Sequence, residues 1–342
     1  MHKHPGSGRR IVWWSLGLVV VLLMLGPTSL AKNAAGQVVA VVSFSPIADM
    51  VRNVGGDQVE VVLAVPNGQN MHFFEPAATV LARLAGDADV FFINGLNLEF
   101  AQRPLYESAL GERPDLRVVN LAHSVLIFRA ELEGLGRAEF RRSPLRPLNP
   151  AFDELFLGPV DNTDPHAFLD PENGIAYVKM IRDVLSEIDP ENASSYAANA
   201  ETYIAQIEAV DQQIAALMAT IPPELRRIAT TGEGFNYMAA RYGISLEGEL
   251  FDTLNLGVTT DPSPQALANV ARQIRALGIP AIFREFTIDA AITEAVARAA
   301  GLTKVGTLSE VLLPSPEWDT YLEYLLANAR VVVETLTGRP VS

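Results

Sequence analysis

Two histidines stand where an imidazole can do chemistry: His72, in VPNGQNMHFFEP, and His166, in DNTDPHAFLDPENG. His72 lies just past a strand-like run and ahead of a helix-like one, and His166 lies in a similarly tight loop ahead of another helix. Both should therefore project from the rim of a sheet, where ligands of such sheets bind. Of the other three histidines, His2 and His4 fall in an N-terminal targeting segment. His123, in NLAHSVLI, ends a strand-like run and reads as structural. The chain has no cysteine, which excludes disulfides, thiolate ligands, cysteine nucleophiles and a lipidated-cysteine anchor together. A histidine and carboxylate site can also activate water, so a metal-dependent hydrolase is one alternative. The sequence has neither an H-E-x-x-H helix nor a G-x-S-x-G elbow to support it.

The elements that must position these residues follow an α/β pattern. Segment 37–44, QVVAVVSF, reads as a strand, followed by a helix with Ile47, Met50, Val51 and Val54 at helical spacing. VEVVLAVP, EPAATVLARLAGDA and DVFFING continue as strand, helix and strand. This order predicts a parallel sheet covered by helices. A second α/β unit begins after residue 225 with RRIATT and runs through IPAIFRE and LTKVGTL to a helical tail at 320–337. Between them, 191–220 has no Gly or Pro and places Tyr203, Ile207, Val210, Ile214 and Leu217 on one stripe. It reads as a long helix joining two lobes, packed within its own chain rather than in a coiled-coil dimer. Segment 131–163 is rich in Pro, Gly and Arg and reads as a long loop.

The expected organisation is a leader at 1–31, an N-terminal α/β lobe at 37–190, a linking helix at 191–220 and a C-terminal α/β lobe at 225–342. Lys3, Arg9 and Arg10 precede the apolar run IVWWSLGLVVVLLML and the small-residue sequence TSLA, the form of an export signal, with cleavage expected after Ala31. The run is 15 residues, shorter than the roughly 20 of a spanning helix, and an uncleaved N-terminal anchor is the alternative. With 342 residues, 49% hydrophobic and 19% charged, the chain has the make-up of a globular protein. Its formal charge of −14 repels phosphate backbones, so no nucleic-acid partner is expected.

The stretches VVSFSPIADMVRNVGGDQVEVVLAVPNGQNMHFFEP, DADVFFINGLNLE, DPHAFLDPENGIAYV, FREFTIDAAITEAVARAAG and TYLEYLLANARVVVETL occur in this order. Together they resemble the metal-binding solute receptors of ABC importers, a family that captures zinc or manganese. The similarity covers nearly all of 37–338, and DPHAFLDP is its most specific part. The resemblance implies two α/β lobes, each with a mainly parallel sheet, joined by a long rigid helix with one metal ion in the cleft. It implies delivery to a membrane ABC permease, no catalysis, a monomer, and a location on the periplasmic or extracellular face of the cytoplasmic membrane. A metal-binding adhesin on the same scaffold is the other alternative.

The resemblance also implies a ligand set. His72 and His166 match the family's first two ligand positions, and Glu310, in GTLSEVLL, falls where the family usually has aspartate. At the third position, a histidine or glutamate in the family, an ungapped match puts Gly232 in IATTGEGFNYM, with Glu233 one residue later. Either the glycine-flanked turn lets Glu233 reach the ion or water completes a three-ligand site; Glu233 is the expected ligand. Asp164 and Asp170 flank His166, as orienting groups or as simple turn formers, and Glu75 and Glu285 match motif positions that suit hydrogen bonding better than coordination. Two imidazoles and two carboxylates suit Mn, Fe or Zn. The absence of histidine from 131–163 and from position 232 favours Mn or Fe.

Overall fold

A computed structural model describes residues 33–124, 126–129, 139–142, 164–232, 234–247, 249–252 and 262–341. The expected leader, the expected ligand Glu233 and most of the expected 131–163 loop lie outside the described residues.

The first lobe is a parallel sheet of β1 (Val38–Phe44), β2 (Val59–Val65), β3 (Val90–Ile93) and β4 (Arg117–Asn120), in the order β2-β1-β3-β4. Every residue of the central strand β1 is buried, as a nearly continuous apolar run covered on both faces requires. Alternation divides the side chains: Ala40, Val42, Phe44, Val90 and Phe92 enter one core, while Val41, Phe91 and Ile93 enter another with Val80, Leu84, Tyr106 and Leu110.

After β4 the chain forms an antiparallel pair, β5 (Leu126–Arg129) with β6 (Glu139–Arg142). Glu139–Arg142 falls inside the segment read as loop. Its pattern, EFRR, carries a single apolar residue, too little for a period-2 signal, and its pairing partner lies upstream of the segment.

The second lobe repeats the plan with β7 (Arg227–Thr230), β8 (Ser245–Leu246), β9 (Ile282–Glu285) and β10 (Val305–Leu308), parallel in the order β10-β9-β7-β8. Ala229 and Ile282 face a core shared with the helices Pro264–Leu277 and Ala290–Ala300. Ile228, Phe283 and Leu308 face the opposite way and join the core of the first lobe.

That shared core is built by four helices: Ser45–Gly55, Pro171–Ile188, the linking helix Ala193–Ala219 and the C-terminal helix Tyr321–Thr337. The linking helix buries Tyr196, Ala200, Tyr203, Ile207, Ile214 and Met218 within its own chain, with Val210 and Leu217 partly covered. Buried polar groups pin the layer. Asp49 Oδ2 accepts hydrogen bonds from Tyr203 Oη at 2.8 Å and from the Tyr321 backbone N–H at 3.0 Å, joining three of these helices.

Candidate metal centre

The site forms where strand C-termini of both sheets end. His72 lies in the loop after β2, Glu310 two residues after β10, and Glu285 is the last residue of β9. His166 follows the segment after β6 and leads, through a short 3-10 turn, into the helix Pro171–Ile188. This is the location that open α/β sheets use for ligands.

The same local device holds both histidines. In Asn70-Met71-His72 the His72 N–H donates to Asn70 Oδ1 at 2.8 Å, and in Asp164-Pro165-His166 the His166 N–H donates to Asp164 Oδ1 at 2.9 Å. Both are tight turns closed by a side-chain oxygen two residues back. Asp164 does more, because its Oδ1 also lies 2.8 Å from His166 Nδ1. A proton on Nδ1 shared with that carboxylate leaves the Nε2 lone pair directed away from it, the usual way of orienting a metal-binding imidazole. Across the lobe boundary, Asn236 Nδ2 donates to Asp164 Oδ2 at 3.1 Å and Tyr237 Oη to the Asp164 carbonyl at 3.0 Å.

His72 is set by the turn after β3. Gly95, Leu96 and Asn97 take φ values of 82°, 53° and 65° in succession, a left-handed run that costs about 1–3 kcal/mol at each non-glycine position. Glu99 holds it closed by accepting from the Asn94 N–H at 2.7 Å and the Gly95 N–H at 3.1 Å. The turn sets the Leu98 backbone beside His72, where it favours the protonated ring. Asn94 Nδ2 donates to the Pro165 carbonyl at 2.8 Å, so this turn also braces the His166 loop.

Three donor atoms converge. His72 Nε2 and His166 Nε2 are 3.2 Å apart, and Glu310 Oε2 lies 3.4 Å from His166 Nε2 and 3.9 Å from His72 Nε2. A tetrahedral ion with bonds near 2.1 Å needs donor separations of about 3.4 Å. Among the described residues, His72, His166 and Glu310 form the group that can hold a metal ion. Glu310 Oε2 is buried and makes no hydrogen bond.

The field at this point favours positive charge. Burial opposes ionisation of His166, but Glu310 and then Asp164 outweigh it and lift the ring well above the ordinary histidine range. Burial, with the neighbouring His166 second, pushes His72 down to about 4. Burial works against the Glu310 charge, yet His166 and His72 hold this carboxylate below its usual range. Burial, and then the Glu310 charge, push Glu285 up to about 8.

The family model described as ZnuA, zinc-uptake complex component A, periplasmic, matches residues 40–335. The chain belongs to that family. It is 29% identical over 329 residues to the manganese-binding lipoprotein MntA of Halalkalibacterium halodurans, covering 94% of this chain and 96% of that protein. It is 26% identical over 295 residues to the iron-binding protein YfeA of Yersinia pestis, covering 85% and 84%. The fold matches the periplasmic zinc-binding protein TroA of Treponema pallidum with a TM-score of 0.69 at 21% identity, covering 88% of this chain and 99% of that one. It also matches the Mn-bound periplasmic metal-binding protein of Candidatus Liberibacter asiaticus, with a TM-score of 0.66 at 23% identity, covering 88% and 100%.

Two of the other expected supporting residues have different surroundings. Asp170 caps the helix Pro171–Ile188, its Oδ1 accepting from the Glu172 N–H at 2.9 Å, and pairs with Arg241 at 3.0 Å. Glu75 is exposed and lies outside the donor group. Sequence reasoning did not single out Asn70, Asn94, Asn236 or Thr287. The bonds by which they reach across the molecule, Asn70 to Thr287, Asn94 to Pro165 and Asn236 to Asp164, join residues far apart along the chain.

Proposed function

We propose that this chain is an exported receptor that captures one divalent transition-metal ion between its two lobes and hands it to a membrane ABC permease. His72 and His166 of the first lobe and Glu310 of the second hold the ion, with a further donor from the second lobe beside Gly232; Glu233 is the sequence's candidate for it. The observation that carries this reading is the buried Glu310 Oε2, without a hydrogen bond and facing two imidazole nitrogens. A buried carboxylate oxygen that makes no hydrogen bond is costly, and a cation shared with both rings relieves that cost.

Two nitrogen donors and oxygen donors without sulfur suit Mn, Fe or Zn, the metals named for the manganese-, iron- and zinc-binding relatives. The cargo leaves chemically unchanged. The receptor acts as a monomer and takes no nucleic acid, its charge of −14 repelling phosphates. It works outside the cytoplasmic membrane.

A ligand that binds only the folded state stabilises it by RT ln(1 + [L]/Kd), about 4 kcal/mol at a thousandfold excess over Kd. Mn(II) or Zn(II) added to chelator-stripped protein should therefore raise its melting temperature by several degrees. Mg(II), which keeps its waters and prefers oxygen, should do far less. An equal shift with all three would count against the two-histidine site.

A further inference from the structure

The resemblance puts Gly232 at the third ligand position, and the space in front of it is filled. A Cβ built on Gly232 would lie 2.6 Å from Glu285 Oε2 and 3.7 Å from Glu310 Oε1. The direction a ligand at 232 would take thus runs directly into the Glu285 carboxylate, beside a carboxylate already in the donor group. Glu285 ends β9, the strand next to β7, and β7 leads into the 232 turn, so the two positions are neighbours in the sheet. The Glu285 side chain is buried. Thr287 Oγ1 donates to its Oε1 at 2.5 Å, and Asn70 Nδ2 of the first lobe donates to Thr287 Oγ1 at 3.0 Å. Oε2 is the oxygen facing the Gly232 turn.

We propose that Glu285 supplies the donor that Gly232 lacks, swinging its carboxylate onto the ion so that the site is two nitrogens and two carboxylates. This rests on the receptor reading above. The carboxylate is not itself part of the group formed by His72, His166 and Glu310, so binding moves it inward from Thr287. A glycine at 232 is what makes room, since any side chain there would collide with Glu285. The exchange sets metal preference: a carboxylate in place of a third imidazole moves the site from the nitrogen-rich set that suits zinc toward the oxygen-rich set that suits manganese.

The test is a swap followed by calorimetric titration of Mn(II) and Zn(II) into stripped protein, with circular dichroism and melting curves to establish that each variant is folded. Glu285→Gln keeps the size of the side chain and its bond to Thr287 but removes the charge. It should lose Mn affinity by at least about tenfold. Gly232→His alone should bind more weakly than the parent because it collides with Glu285. Glu285→Ala combined with Gly232→His should regain Zn affinity relative to Glu285→Ala alone and shift preference from Mn toward Zn. A residue that merely positions its neighbours would give no such rescue. Unchanged Mn affinity in Glu285→Gln, or a double variant no tighter than Glu285→Ala, overturns the proposal while leaving the receptor reading intact. Folded parent protein that binds neither metal overturns the receptor reading and this inference together.

Discussion

A Cβ placed on Gly234 would run into the Glu310 carboxylate and stand 3.0 Å from His166 Cδ2. Backbone here approaches two donors so closely that only a hydrogen fits. Gly234→Ala should therefore push Glu310 out of line and reduce Mn or Zn affinity by about tenfold or more, with a stability cost of about 1–3 kcal/mol from the overpacked turn. Titration together with a melting curve checks this, and full affinity in a folded Gly234→Ala protein would show that Glu310 tolerates displacement. At this scale the sequence was most legible where a donor carries its own turn. His72 and His166 each sit two residues after an Asx that closes on their N–H, a pattern visible in a dozen letters. Glu310 was legible only through its family position, since nothing in GTLSEVLL distinguishes that carboxylate from a surface one. The Asn70–Thr287 bridge was not legible, because its partners are 217 residues apart and meet only when the lobes do.

The linking helix, legible as a long stretch without Gly or Pro carrying one apolar stripe, is the element that both lobes share. Its buried stripe from Tyr196 to Met218 packs against the helices Pro171–Ile188, Ser45–Gly55 and Tyr321–Thr337. Ile207 and Ile214 are almost completely buried, at 0% and 1% exposed. Truncating either to Ala should cost about 2–5 kcal/mol, measured by denaturant unfolding. Neither lines the donor group, so Mn affinity of the folded variants should be unchanged. A loss below about 0.5 kcal/mol would mean that the helix is not part of the core. Arg241 ties the same helix to the site, gripping Asp211 with Nε at 2.8 Å and Nη2 at 2.6 Å while Nη1 reaches Asp170 at 3.0 Å. Elements with little local pattern escaped the sequence. Ser245–Leu246 is two residues long and exists because it adds to the edge of β7. Glu139–Arg142 depends wholly on pairing with Leu126–Arg129.

Across the whole molecule, one hydrophobic core runs through both lobes, with Val42, Phe92, Ile207, Phe283 and Leu308 all part of it. Hydrogen bonds cross between lobes beside the donors: Asn70, two residues before His72, to Thr287, and Asn236 and Tyr237 to Asp164, two residues before His166. The donors themselves come from both lobes, so an ion held there joins the two sheets, and losing one donor weakens the joint as well as the bond. The claim that His72, His166 and Glu310 form this centre is tested most directly by calorimetric titration of Mn(II) and Zn(II) into stripped parent protein and into His166→Ala. His166 is the donor with the most complete support, buried at 5% exposure and oriented by Asp164. The parent should bind one ion per chain, and His166→Ala, folded as judged by circular dichroism, should bind at least about a hundredfold more weakly. Equal affinity in the two proteins would contradict the account.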